Sequence, residues 1–113
     1  MNGWEDIATF ALTLPATVLS TSYRQPAVKV DGRAFVSTGR EPGSFHVRAP
    51  HEDKAMLLDT DPATFWQTPH YENWPGLLVR YASADPDRVR LVIARAWWDL
   101  AKARTRKAYG ERP

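Results

Sequence analysis

The chain has 113 residues, 43% hydrophobic and 25% charged, a balance typical of a globular protein with one core. It contains no cysteine, which excludes disulfides and thiolate metal sites, and no run approaches the ~20 apolar residues of a membrane span. Residues Met1–Asp6 lack the basic start and apolar run of a signal peptide. We therefore expect one soluble, cytoplasmic domain over residues 1–113, with no membrane association.

The net charge of +2 is unevenly distributed along the chain. Asp85–Pro113 carries eight Lys or Arg against four acids, whereas Met1–Ala84 carries seven bases against nine acids. The cations nearest the C-terminus are Lys102, Arg104, Arg106, Lys107 and Arg112. Such a cluster is able to follow a phosphate backbone. It is also typical of a solvated helix end, where cations meet the negative end of the helix dipole, and we favour that interpretation.

Three segments carry the apolar spacing or the capping signals of helices. The first runs from about Trp4 to Leu14 and is ended by Pro15. A short helix is expected from about His51 to Asp59. The third begins at Asp85-Pro86, as cap and first residue, and is expected to fray near Tyr109-Gly110. Its predicted buried stripe is Val89, Ile93, Ala96, Trp97 and Leu100.

Strand signals fill the interval between the first two helices. Asp31-Gly32 joins the alternating runs Val28–Val30 and Arg33–Val36, which predicts a hairpin with a two-residue type I′ turn. In this register Val28 faces Phe35 and Lys29 faces Ala34. Ser44–Ala49 alternates in the same way and supplies a third antiparallel strand.

The segment after the second helix predicts one or two further strands. Asp61-Pro62 resembles a helix start, so we expect one or two helical turns holding Phe65 and Trp66. Thr68–Gly76 is interrupted by two prolines and predicts a short edge strand or an ordered loop, and Gly76–Ala82 predicts a strand. The expected order is α-β-β-β-α-β-β-α. This order favours an α+β, two-layer fold, with an antiparallel sheet of about five strands and helices on one face.

Two stretches of the chain resemble the MmcQ/YjbR family. Asp61–Arg80, with its string Thr68-Pro69-His70-Tyr71, is similar to the family's signature, and Ser22–Gly32 resembles an upstream motif. The sequence departs from the usual signature at Asn73, where Gly is common, and at Trp74, where Tyr or another aromatic is usual. The resemblance implies a fold grouped with frataxin-like or double-wing domains, a DNA-binding label that rests on fold analogy, and no catalytic residues.

Four basic side chains are expected on one face of the predicted sheet. If the apolar residues of the strands point towards the helices, the side chains that point away are Lys29, His46, Arg48 and Arg80. An uncovered face carrying these cations is suited to binding DNA phosphates. The alternative is that they simply solvate the face, since exposed sheet faces are generally polar.

The loop candidates are the aromatic residues around Thr68–Trp74, namely Trp66, His70, Tyr71 and Trp74. Their rings are able to stack on bases or line a small-ligand groove. More often such rings seal the edge of a small core, with the His hydrogen-bonded to a backbone carbonyl, and we favour this interpretation. Trp98, off the buried stripe of the last helix, is a candidate protein-interface anchor.

No motif in the sequence points to catalysis or to metal binding. His46, His51 and His70 lack metal-ligand spacing, and no serine has a nucleophile-elbow context. We therefore expect no enzyme activity, cofactor or metal. The predicted function is weak, salt-dependent DNA binding. The alternatives are a protein-interaction or adaptor domain or homodimer using an exposed aromatic surface, and a small-ligand binder at the 68–76 loop.

Overall fold

The computed structural model describes residues 1–113 and contains four helices and six strands. The helices are α1 (Trp4–Ala11), α2 (His51–Thr60), α3 (Pro86–Leu100) and α4 (Ala103–Lys107). The strands are β1 (Thr17–Ser22), β2 (Gln25–Val30), β3 (Arg33–Thr38), β4 (Ser44–Arg48), β5 (Phe65–Trp66) and β6 (Gly76–Arg80). All neighbouring strands are antiparallel, in the order β1-β2-β3-β4-β6-β5, which confirms the α+β class with one strand more than expected. None of the helices has the length and apolar character needed to cross a membrane.

The core lies between the sheet and helices α1, α2 and α3. Alternation along β4 turns Phe45 and Val47 towards the helices, and their partners on β6 are Val79 and Leu77; all four side chains are buried. On the helical side Trp97 is fully buried, and its Nε1 donates a 2.9 Å hydrogen bond to the Pro15 carbonyl. This bond ties α3 to the chain that follows α1.

The β2–β3 hairpin confirms the predicted turn but not the whole predicted register. Asp31 and Gly32 have φ of 50° and 81°, as a type I′ turn requires, and Lys29 pairs with Ala34. Val28 pairs with Val36, so the predicted pairing with Phe35 is wrong. A β-bulge inserts Phe35 into β3, which lets Phe35 and Val36 both enter the core.

Strand β1 was absent from the expected order. It forms one edge of the sheet, and its burial does not alternate because neither of its faces is fully covered. Its residues, Thr17–Ser22, are mostly small and polar, so the period-two hydrophobic signal that marks a half-buried strand is missing.

The helical turns predicted around Phe65 and Trp66 are wrong. Asp61 accepts backbone hydrogen bonds from Thr64 and Phe65, which closes a single turn, and the chain then extends as β5. Phe65 pairs with Val79 and Trp66 with Leu78. Pairing with β6 therefore overrides the local helix-start signal at Asp61.

The last helix begins as predicted but ends earlier. The Asp85 carboxylate accepts a 3.1 Å hydrogen bond from the Arg88 amide and caps α3. After Leu100 the backbone is extended at Ala101, and a new helix, α4, then begins. The backbone amide of Lys102, the residue that precedes α4, donates a 2.7 Å hydrogen bond to the Asp31 carboxylate. The hairpin turn between β2 and β3 thus caps α4, and this contact pulls the basic segment away from the axis of α3.

Candidate nucleic-acid interface

The face of the sheet opposite α1, α2 and α3, called here the second face, carries all four predicted basic residues. The register places His46 beside Ser37 and Leu78, and Arg80 beside Ser44. The remaining two, Arg48 and Lys29, follow by the same alternation along β4 and β2. They do not form one continuous cationic patch, however, because part of this face is covered.

The cover is the loop 68–75, which includes a short 3₁₀ turn at Pro69–Tyr71. The His46 ring lies 4.9 Å from the Tyr71 ring and 5.7 Å from the Trp74 ring, centroid to centroid. Its Nε2 is 3.2 Å from a carboxylate oxygen of Glu41, and the residue is only 9% exposed. The expectation of an uncovered face with His46 open to solvent is therefore wrong, because these rings exclude water from it.

A buried lysine holds this loop in place. Lys54, on α2, is 4% exposed, and its Nζ donates hydrogen bonds to the carbonyls of Tyr71 (2.7 Å), Glu72 (3.2 Å) and Trp74 (2.8 Å). Burial lowers the pKa of Lys54, and the nearby Glu72 carboxylate partly opposes that change. Three acceptors satisfy the three donors of the ammonium group. No sequence signal marked this residue, since a lysine on a polar helix is normally solvated.

Gly76 lets Trp74 lie directly against the sheet. A Cβ at Gly76 would sit 2.4 Å from Cζ3 of the Trp74 ring and 2.6 Å from the Val47 carbonyl oxygen, so any other residue would displace the ring or the strand. With its carbonyl held by Lys54 and its ring resting on Gly76, Trp74 forms a fixed wall beside β4.

A groove of about 280 Å³ lies next to Trp74 and is called here the basic groove; it borders the second face of the sheet and reaches Leu100 at the end of α3. Its lining consists of Ser22, Tyr23, Arg33, Ala34, Phe35, Val36, Ser37, His46, Arg48, Trp74 and Leu100. No carboxylate lines it, and neither Arg33 nor Arg48 has an ion-pair partner.

The two arginines of the groove influence each other. Burial, and then the positive charge of Arg33, lower the pKa of Arg48, whose guanidinium carbon lies 6.0 Å from the centre of the Trp74 ring. Arg48 nevertheless keeps its positive charge, because an arginine does not lose its proton in proteins. Two like charges held beside one groove without a counterion favour an incoming anion. Sequence reasoning missed Arg33, because its partner across the hairpin is the buried Val30 and strand alternation therefore does not assign it to the second face.

The other predicted residues lie apart from this groove. Arg80 donates 3.1 Å hydrogen bonds to the carbonyls of Pro62 and Ala63 and lies 5.0 Å from the Trp66 ring, so it closes the turn before β5. Trp66 is fixed in turn by a 3.0 Å bond from its Nε1 to Ser44. Lys29 is half-buried opposite Ala34.

The exposed His70 contacts the Tyr71 ring at 4.8 Å and forms no hydrogen bond to a backbone carbonyl. The loop candidates therefore divide between the two ends of the second face. Tyr71 and Trp74 pack against the sheet beside the basic groove, while Trp66 lies with Arg80 near β5.

The basic C-terminal segment is partly engaged inside the fold. Arg106 donates to the carbonyls of Trp98 and Asp99, and its guanidinium lies 5.3 Å from the centre of the half-buried Trp98 ring. Arg112 bonds to the carboxylates of Asp99 and Asp53, and these raise its pKa. Lys102, Arg104 and Lys107 are exposed and form no ion pair, whereas Arg112 is exposed but paired.

The fold and the site define an antiparallel α+β protein with a basic groove on the partly covered second face of its sheet. A sequence profile of the YjbR family matches residues 12–99, and the chain belongs to that family. It is also similar to an uncharacterized protein of Mycobacterium bovis and to two of Mycobacterium tuberculosis. Each is 29% identical over 112 residues, covering 86% of this chain and 87% of the relative.

Proposed function

We propose that this protein binds DNA through phosphate contacts in the basic groove. The observation that carries the proposal is the pair Arg33 and Arg48, which share a groove without any carboxylate partner. Lys29 lies on the same face, and Arg24 is exposed at the turn between β1 and β2. The DNA-binding label of the YjbR resemblance agrees with this site. The sequence predicted phosphate contacts at His46 and Arg80, whereas the proposed site has Arg33 in their place.

The expected binding is weak because few charges take part. About three phosphate contacts give a slope of log K against log salt of roughly −2 to −3, and a non-specific Kd in the range of about 10⁻⁴ to 10⁻⁶ M. Arg33 and Arg48 lie on strands within the sheet, not on a helix or two-stranded ribbon of the kind that enters the major groove to read bases. We therefore expect contacts to the backbone and little sequence preference.

The test is a fluorescence anisotropy titration of labelled DNA at two salt concentrations. The double variant Arg33→Gln/Arg48→Gln should lose most of the binding and most of the salt dependence. The matched control Lys102→Gln/Arg104→Gln removes the same net charge from α4 and its N-cap, and it should bind nearly as well as the natural sequence. Equal losses in the two variants would show that net charge alone drives binding and would contradict the proposed site.

A second candidate function is self-association through the edge strand β1. This strand has no charged residue and no proline, and two of its apolar side chains are strongly exposed, Val18 at 58% and Leu19 at 63%. Charges, prolines and bulges are the usual protections of a free edge, and β1 has none of them. A second copy of the chain is able to pair with it about a twofold axis.

The solution molar mass tests this candidate. A dimer would have twice the 12.8 kDa mass of the chain, and Leu19→Lys should convert it to a monomer without loss of folding. A natural sequence that stays monomeric at high concentration would contradict self-association. That outcome would leave DNA binding at the second face unaffected, because the basic groove lies on a face and β1 pairs through its edge.

A further inference from the structure

The turn between β1 and β2 has an unusual conformation for its residues. Ser22 pairs with Gln25, and the two residues between them, Tyr23 and Arg24, have φ of 50° and 67°. Two-residue turns of this kind favour Asn, Asp or Gly, as at the other hairpin of this sheet. A bulky aromatic side chain in the left-handed region is strained, and such strain is concentrated at functional sites.

The strained residue is also the most exposed aromatic side chain of the protein. Tyr23 is 99% exposed and forms no hydrogen bond, so its ring contributes nothing to the core. The residue nevertheless borders the basic groove, which Trp74 also lines. Aromatic platforms combined with a positively charged groove are the arrangement that binds single-stranded nucleic acid, with bases on the rings and phosphates on the cations.

The shape of the groove favours a flexible strand over a duplex. Between its aromatic rings it is lined by small side chains such as Ala34 and Ser37, and its volume of about 280 Å³ is that of a small ligand pocket. Arg48 is half-buried beside it. A duplex keeps its bases stacked inside and its phosphates on a stiff outer surface, whereas a single strand is able to bend a phosphate towards Arg48 and unstack a base onto a ring.

We infer that the basic groove selects single-stranded over duplex nucleic acid, with a base stacked on Tyr23 and phosphates at Arg33 and Arg48. The inference rests on the proposed function and adds the form of nucleic acid that this site takes. The strained turn holds the Tyr23 ring out in solvent, where an incoming base reaches it.

The experiment compares a labelled oligothymidine of about eight nucleotides, a length within the usual range of site sizes, with a duplex of equal length. The natural protein should bind the single strand more tightly. Tyr23→Asn removes the ring and introduces a residue that accepts positive φ, so the variant should keep its thermal stability. It should bind the single strand about tenfold more weakly and the duplex unchanged. Tyr23→Phe, which keeps the ring, should match the natural protein.

Two results would overturn the inference while leaving the proposed function intact. One is tighter binding of the duplex by the natural protein, and the other is unchanged single-strand affinity in Tyr23→Asn, each with binding still lost in Arg33→Gln/Arg48→Gln. Absence of binding to both forms at low salt would overturn the inference and the proposed function together.

Discussion

The two faces of the sheet are built from the same strands but differ in what covers them. Along β4, Phe45 and Val47 enter a core sealed by three helices, while the alternate residues His46 and Arg48 face a single loop and a groove. The part of the first face that the helices cover is apolar. The second mixes small, aromatic and cationic side chains, and part of it stays open to solvent.

This difference separates the residues that stabilise the protein from those available for binding. Burial of apolar side chains supplies most of the stability, so changes on the core face should act on folding. Arg33 and Arg48 have no ion-pair partner within the fold, so changes to them should alter ligand binding more than folding. The loop 68–75 belongs to both groups, because it is held by Lys54 and itself forms one wall of the groove.

The largest expected effect on stability is at the core face. Phe45 is fully buried and stacks on Tyr81 at 5.5 Å, so Phe45→Ala should lower the free energy of unfolding by about 3–5 kcal/mol. Urea denaturation measures this loss. The folded fraction should bind DNA with unchanged affinity, and Ser37→Ala, a small change on the second face, should leave stability close to that of the natural sequence.

The next largest effect is at the loop anchor. Lys54→Met keeps the length of the side chain but leaves three carbonyls without their donor, which should cost about 1.5–3 kcal/mol of stability. DNA binding should weaken as well, because Trp74 loses the contact that fixes it. Lys107→Met, at an exposed position on α4, is the control and should alter neither property. Faster amide hydrogen exchange confined to residues 68–75 would locate the change.

A charge reversal at the groove should change binding with little effect on folding. Arg48→Glu removes a cation that has no ion-pair partner and relieves its repulsion with Arg33, so stability should stay within about 0.5 kcal/mol. DNA binding at low salt should fall below detection. A large loss of stability in this variant would contradict the separation of the two faces.

The smallest expected effect concerns the cap of α4. The backbone amide of Lys102 is the main cause of the lowered pKa of Asp31, and the Thr105 hydroxyl adds to it. Because the folded pKa lies below the unfolded one, this contribution to stability is complete above about pH 4 and is lost as the pH falls through the folded value. Asp31→Asn keeps the turn and should melt at nearly the same temperature at neutral pH, with a shallower loss of stability in acid.

Much of the fold followed from local chemistry, as the turns and caps illustrate. Asp31-Gly32 and Asp85-Pro86 were predicted correctly because their signals are contained in two residues. Strand β1 was missed because its mostly small and polar residues lack the alternating hydrophobic signal of a half-buried strand. The pairing of Phe65 and Trp66 was missed because it depends on β6, which follows after an intervening loop.

The site was predicted only in pieces. Arg48 and Trp74 were each singled out, but their meeting beside one groove depends on Lys54 and Gly76, which fix the loop through tertiary contacts. The bulge at Phe35 places both Phe35 and Val36 in the core. No local turn or cap motif in the sequence indicates such a bulge.

The most direct test of the binding face is an NMR titration of ¹⁵N-labelled protein with a short single-stranded oligonucleotide. We expect the largest shift changes in the backbone amides of Arg33, Ala34 and Ser37 and in the Trp74 indole, with the indole of the buried Trp97 unaffected. Changes concentrated on α4, or no changes at low salt, would contradict the claim that the second face of the sheet is the binding surface.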